Sequence, residues 1–306
     1  MGQSSVGPIY SRYLFDRLIL IYLGAVLAYT FIGSYFGWAY LLASLFHIVL
    51  IFFVFYITGY GGRSRIAITI RWWYPLLLML PLYYEVELLS YLIHRGEVFD
   101  PIIWAWERLL FSTPPHRVLP VILPGRFLNE LLHLFYLSYY FIMIGGFLVA
   151  RAIYKPKLQL AGQGKEGAYQ RFVFIMMGTF ISYLIIFVLF PVVGPLDDRF
   201  LSFHDTGIFS TLIDLLYDIG ESEGGAFPSS HIGLSLVVYL LLRPASQRLR
   251  IGFLILIFGL TISTVYGAFH YGLDAVAGLV TGPLLYLGWS KIYMRLTKSA
   301  PTTSTT

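Results

Sequence analysis

The chain has 306 residues, 58% of them hydrophobic and 12% charged, with a formal net charge of +5. A soluble domain carries about 25% charged residues, so this composition excludes one and marks an all-α integral membrane protein. Cysteine is absent, which excludes disulfides, thiolate catalysis and cysteine-ligated metals.

The opening Met1-Gly2-Gln3-Ser4-Ser5-Val6 lacks the charged stretch of a cleaved signal peptide, and Val6 breaks the myristoylation pattern. The first apolar run is therefore expected to insert as itself. A span needs roughly 20 apolar residues. About eight are expected, at 15–34, 36–58, 70–94, 127–151, 171–192, 229–243, 251–269 and 271–290. His47 in the second reads as a satisfied interhelical group. Glu85 and Glu87 in the third, and Glu130 with His133 in the fourth, are costly in lipid unless paired. Glu130 and His133 have the spacing of di-iron carboxylate bundles, but those need a second such pair and two further carboxylates. No metal and no cofactor is expected; a hydrogen-bonded network with Tyr83, Tyr84, Tyr136 and Tyr140 is expected instead.

Two intervening segments are expected to carry structure. Residues 98–120 start like a helix, with Asp100 as N-cap and Pro101 in the first turn. Trp104 and Trp106 suit the headgroup layer, and His94 and His116 read as headgroup contacts. Residues 206–219, where Ile208, Leu212, Ile213, Leu215 and Leu216 mix with acids, read as a second interfacial helix.

Charge orients the chain. With eight spans, 16 of the 21 Lys and Arg fall on one side, leaving Arg95, Arg108, Arg117, Arg126 and Arg199 on the other. The positive-inside rule then places both termini in the cytoplasm. The acidic loop 193–228, with Asp197, Asp198, Asp205, Asp214, Asp218, Glu221 and Glu223, faces outside. The basic residues meet anionic headgroups, so the expected partner is the membrane and not nucleic acid. The expected organisation is a two-span segment at 1–69, a six-span catalytic core at 70–295 and a disordered tail at 296–306.

Two stretches carry the chemistry. In Gly224-Gly225-Ala226-Phe227-Pro228-Ser229-Ser230-His231, Pro228 breaks the incoming backbone and Ser229 or Ser230 caps the next helix. A helix start with free amides cradles phosphate, with His231 beside it; an ordinary cap with a boundary histidine is the plainer alternative. In Ser263-Thr264-Val265-Tyr266-Gly267-Ala268-Phe269-His270-Tyr271-Gly272-Leu273-Asp274, His270 and Asp274 stand at i and i+4. A carboxylate taking one ring N–H leaves the other nitrogen unprotonated, as a nucleophile requires; an interfacial ion pair is the plainer alternative. Both motifs fall on the outer face.

The pattern Pro-Ser-x-His followed by Ser-x6-His-x3-Asp resembles the type-2 phosphatidic acid phosphatase and vanadium haloperoxidase superfamily, over roughly residues 70–290. The resemblance implies a six-helix core, with two added spans in front. It implies that His270 is a nucleophile forming phosphohistidine, that Asp274 orients it and that His231 is the general acid. It also implies phosphate binding by Ser229, with Ser230 and Ser263 from the same motifs. Arg199 is a candidate cation from the outer loops. Ser230 stands where the family has glycine, Thr264 where it usually has arginine, and the Lys-x6-Arg-Pro signature is missing. Phe190-Pro191-Val192-Val193-Gly194-Pro195 fills that region, which looks closer to the branch of inositol phosphorylceramide synthases. A pocket short of cations suits the single charge of a phosphodiester better than the nearly double charge of a monoester. The expected activity is thus a phosphotransferase acting on a phospholipid of the outer leaflet. A lipid phosphatase using water is the alternative, and a silent scaffold or transporter a third. A CDP-alcohol phosphotransferase is excluded by the lack of an Asp-x2-Asp-Gly array.

Overall fold

A computed structural model describes residues 13–60, 65–154, 166–202, 207–220 and 223–298. Residues 1–12, Asp205, Glu221 and most of the 296–306 tail lie outside them. The structure is 84% helical. Among the described residues the helices are α1 (Leu14–Gly33), α2 (Trp38–Tyr60), α3 (Arg65–Tyr84), α4 (Val86–His94), α5 (Asp100–Phe111), α6 (Pro115–Ile122), α7 (Arg126–Tyr154), α8 (Glu166–Leu189), α9 (Leu196–Ser202), α10 (Ile208–Gly220), α11 (Ser230–Leu241), α12 (Gln247–Tyr266) and α13 (Gly272–Lys298).

Among the described residues six stretches are long and apolar enough to cross a membrane: α1, α2, the α3–α4 run from Thr69 to His94, α7, α8 and α12. The chain is accordingly an integral membrane protein. The other two expected spans correspond to α11 and α13. With 12 residues α11 rises only about 18 Å, short of the ~30 Å hydrocarbon layer. At 27 residues α13 has the length, but Gly278, Gly282, Pro283, Tyr286 and Trp289 dilute its hydropathy. Length and hydropathy therefore support six of the eight.

Contacts divide the chain into Met1–Met79 and Leu80–Thr306. In the first unit, Ser44 of α2 donates to the Thr30 hydroxyl of α1 at 2.9 Å. His47 is satisfied inside its own helix, with Nδ1 2.8 Å from the Ala43 carbonyl. Asp16 is fully buried, where an unpaired carboxylate would be costly. It accepts from Arg71 at 3.0 Å, from the Tyr74 hydroxyl and from the Tyr13 amide at 2.8 Å.

In the second unit, α11 is apolar on nearly every side and buried by α7, α8, α12 and α13. Its approach to α13 is set by small residues. A Cβ on Gly278 would stand 2.5 Å from the Ser229 carbonyl, and one on Gly282 2.6 Å from that of Gly233. Such backbone-to-backbone packing is how helices associate without a hydrophobic drive between them. The two interfacial helices turn their apolar sides outward. On α5, Ile102, Trp106, Leu109 and Leu110 are exposed while Ile103 and Glu107 are buried. On α10, Ile208, Leu212 and Leu215 are exposed while Ile213 is buried.

Candidate active site

The start of α11 is held by an isolated parallel bridge between Val192 and Gly225. The Val192 amide donates to Gly224 at 3.2 Å and the Ala226 amide to Val192 at 2.8 Å. Gly224 takes φ 101°, a left-handed conformation that glycine adopts without strain. Ser229 then occupies the N-cap position, and its amide donates to the Asp274 carbonyl at 3.0 Å. Its hydroxyl does not cap the helix. It faces Nε2 of His270 at 3.3 Å instead. The first-turn amides of α11, unpaired by helix geometry, thus open beside His270 without a side-chain cap.

His270 follows the end of α12. The Ala268 amide donates to Val265 at 3.1 Å and the Phe269 amide to Thr264 at 3.0 Å, which together make a Schellman stop. The His270 amide reaches the same Thr264 carbonyl, also at 3.0 Å. Ala268 occupies the left-handed position with φ 52°. Arg199 of α9 clasps this turn from behind: Nη1 donates to the Gly267 carbonyl at 3.1 Å, and the guanidinium lies 4.2 Å from the centre of the Phe269 ring. The same Nη1 donates to Nε2 of His133 at 3.2 Å, and Nη2 pairs with Asp214 of α10. His133 accepts because its Nδ1–H is given to the Asn129 carbonyl at 2.7 Å, which fixes the tautomer.

The structure brings His231, His270 and Asp274 together. The two imidazoles meet edge to face with centroids 5.6 Å apart. Nδ1 of His270 is 3.4 Å from Oδ2 of Asp274, an approach that makes no hydrogen bond in this state. All of Asp274 and nearly all of His270 is withdrawn from the surface. His231 packs against Tyr139 and Tyr136, with centroids at 4.3 and 5.3 Å, and Tyr136 stacks on Phe269 at 3.8 Å. The nucleophile candidate therefore has one nitrogen toward a carboxylate and the other toward a serine at an open helix start.

Asp274 is the third residue of α13, and its Oδ2 accepts from the Tyr271 amide at 2.9 Å, half of a capping box. The next two amides are taken by α5: Gly272 donates to Oε1 of Glu107 at 2.9 Å and Leu273 to Oε2 at 2.7 Å. One helical repeat away on the same face, Asp100 accepts from the Val193 and Gly194 amides at 2.9 and 2.8 Å and from the Tyr271 hydroxyl at 3.2 Å. His116 lies with Nδ1 3.7 Å from Glu107 and Nε2 2.9 Å from Asp198. Arg117 completes the strap, bonding both oxygens of Asp198 at 2.6 and 3.0 Å. Burial disfavours ionisation of Asp198, but the hydrogen bonds from Arg117 and His116 outweigh it and hold the carboxyl below its ordinary value.

Several expected roles change. Asp100 does not cap α5, because Phe99 is the N-cap and the Asp100 carboxylate points to another segment. His116 is buried between two carboxylates and is not a headgroup contact; His94 lays its ring against Phe99. Ser263 donates its hydroxyl to Leu260 at 2.9 Å within α12. Glu130 accepts from the Phe209 and Ser210 amides at 2.7 and 3.2 Å, capping α10, while His133 turns to Arg199. Of the tyrosines expected in a network, Tyr136 has its hydroxyl 3.0 Å from that of Tyr217. Among the described residues no group of three His, Asp or Glu could hold a metal.

A helical membrane protein with paired histidines and a carboxylate at the meeting of three helix ends defines a class. The chain belongs to the PAP2 superfamily, whose family model matches residues 101–287. The match opens at α5 and takes in both histidine segments. Membership supports a phosphatase-type enzyme. No curated protein and no solved structure gives a significant match.

Proposed function

We propose that this site transfers a phospho-group from a phosphodiester lipid to an alcohol through a phosphohistidine on His270. Nε2 of His270 attacks phosphorus, the bond to the lipid alkoxide breaks, and His231 gives that oxygen a proton. The acceptor alcohol then loses its proton to His231 as its oxygen attacks phosphorus and the P–N bond breaks. Ser229, Ser230 and the first-turn amides of α11 bind the phosphate oxygens, while Ser263 and Arg199 support the turn that carries His270. The reading includes eight spans, cytoplasmic termini and an outer-leaflet site close in kind to that of inositol phosphorylceramide synthases.

The observation that carries it is the charge balance around the open α11 start. Arg199 is matched by Asp214 and Arg117 by Asp198. Every lysine lies in 155–165 or 291–298. Such surroundings suit the one charge of a diester. The aromatic packing of His231 favours an alcohol over water as acceptor.

The test uses the full chain in proteoliposomes with a labelled diester phospholipid, with and without ceramide. Wild type is expected to trap an acid-labile, base-stable phosphoenzyme, and His270→Ala none. His231→Ala is expected to lose about 10²–10⁴-fold on an alkoxide leaving group and to spare a p-nitrophenyl ester. Turnover that ignores ceramide and releases the phosphorylated headgroup identifies water as the acceptor, hence a lipid hydrolase; no covalent phosphate and an active His270→Ala defeat the reading.

A further inference from the structure

Glu107 belongs to no motif, yet it is fully buried and bonds the first two amides of α13. A helix start is normally capped by a neighbour in sequence. Here the cap is 165 residues away, on a different helix. The local residue suited to the task is Asp274 at the third position, and its Oδ1 has no partner while Oδ2 serves the Tyr271 amide and the side of His270. Glu107 therefore relieves Asp274 of the amides it would otherwise have to satisfy. The first turn of α13 is also blocked sideways, since a Cβ on Gly272 would stand 2.8 Å from the Pro115 ring. With α5 gripping the amides and α6 against the glycine, the turn is held from two sides, and it places the Asp274 carboxylate 3.4 Å from Nδ1 of His270.

We propose that Glu107 is a positioning residue for the His270–Asp274 pair, acting by fixing the first turn of α13. The role rests on the reading of His270 as nucleophile. Glu107 touches neither His231 nor His270 and reaches them through the first turn of α13; its contact with His116, 3.7 Å away, faces the α6 strap.

The experiment compares Glu107→Gln, Asp274→Asn and the double variant in the full chain, with hydrogen exchange followed over residues 271–275. Glutamine keeps one acceptor but turns an N–H toward the second amide. The expected result is a kcat lower by about 10- to 100-fold, as a misplacement on the order of 1 Å produces. KM should stay within about twofold, because an interaction realised in the transition state affects kcat, and exchange should be faster at 271–275. In the Asp274→Asn background the Glu107 substitution should add little, because both act through one carboxylate. Unchanged kcat, an effect confined to KM, unchanged exchange or an equal loss in both backgrounds would each overturn the proposal. Should Glu107→Gln not fold, Glu107→Asp decides: it retains the charge but reaches one amide, so kcat should fall partway, and full activity refutes the role. Failure of the parent reading is seen separately, as an active His270→Ala with Glu107 intact.

Discussion

Ala268 holds a left-handed conformation two residues before His270. That conformation costs a non-glycine residue about 1–2 kcal/mol, while glycine loses about 0.5–1 kcal/mol through its freer unfolded chain. The first term is the larger, so Ala268→Gly is expected to stabilise the fold by roughly 0.5–1 kcal/mol. The Schellman bonds should persist, and thermal unfolding of the purified protein should move upward. A lower midpoint would mean that the methyl group contributes packing that outweighs the strain. At this scale the meeting of His231, His270 and Asp274 was legible in part: imidazoles at the ends of apolar runs are rare, but the shared helix face expected from the i,i+4 spacing does not form, because His270 lies in the turn between α12 and α13 and only Asp274 is helical. Thr264 was legible only as a departure. It is the backbone carbonyl of Thr264 that holds the His270 amide, and a carbonyl has no sequence signature. The Ser229 hydroxyl was expected to cap and points to His270, a choice made by the distant chain that arrives beside it.

Helix α6 is fastened to α9 by Asp198, and that link has a defined pH dependence. The folded carboxyl titrates below its ordinary value. Its contribution is therefore complete above the unfolded value of about 3.9 and is lost as pH falls through the lowered one. The strap should stay closed through mildly acid pH and open only below about pH 4. The fluorescence of Trp104, which lies 4.8 Å under the Arg117 guanidinium, should report the opening. Asp198→Asn should remove that step, and a transition near pH 6 would assign the switch to another group. Neither α6 nor α9 was read from the sequence. Three prolines at 114, 115 and 120 argue against a helix; Pro114 and Pro115 fall at the N-cap and the first position, where no amide is needed, while Pro120 stands inside the helix and forgoes one intrahelical bond. In α5 the signal was present and unused. Asp100 and Glu107 are seven residues apart, hence on one face, opposite Ile102, Trp106, Leu109 and Leu110. A helix with carboxylates on one side and lipid-like residues on the other must give the carboxylates a protein partner.

For the whole molecule, composition was enough to place the chain in a bilayer, and the two motifs were enough to place it in its superfamily. The path of the chain was less legible, because α11 is short and α13 is diluted by the glycines that let it touch α11. The same α13 serves as a ruler. Asp274 sits in its first turn, and Lys291 lies about 26 Å further along the axis, with Lys298 at the far end. The remaining lysines are confined to 155–165. On the orientation expected from charge all five lysines share the cytoplasmic side, so the protein carries its own sidedness tag. Added to sealed right-side-out vesicles, an impermeant amine reagent is expected to leave the chain unmarked, and to mark it once the vesicles are opened. Marking in sealed vesicles would put the lysines outside and the histidines in the cytosol, and would exchange one leaflet's lipids for the other's as the pool on which the enzyme draws.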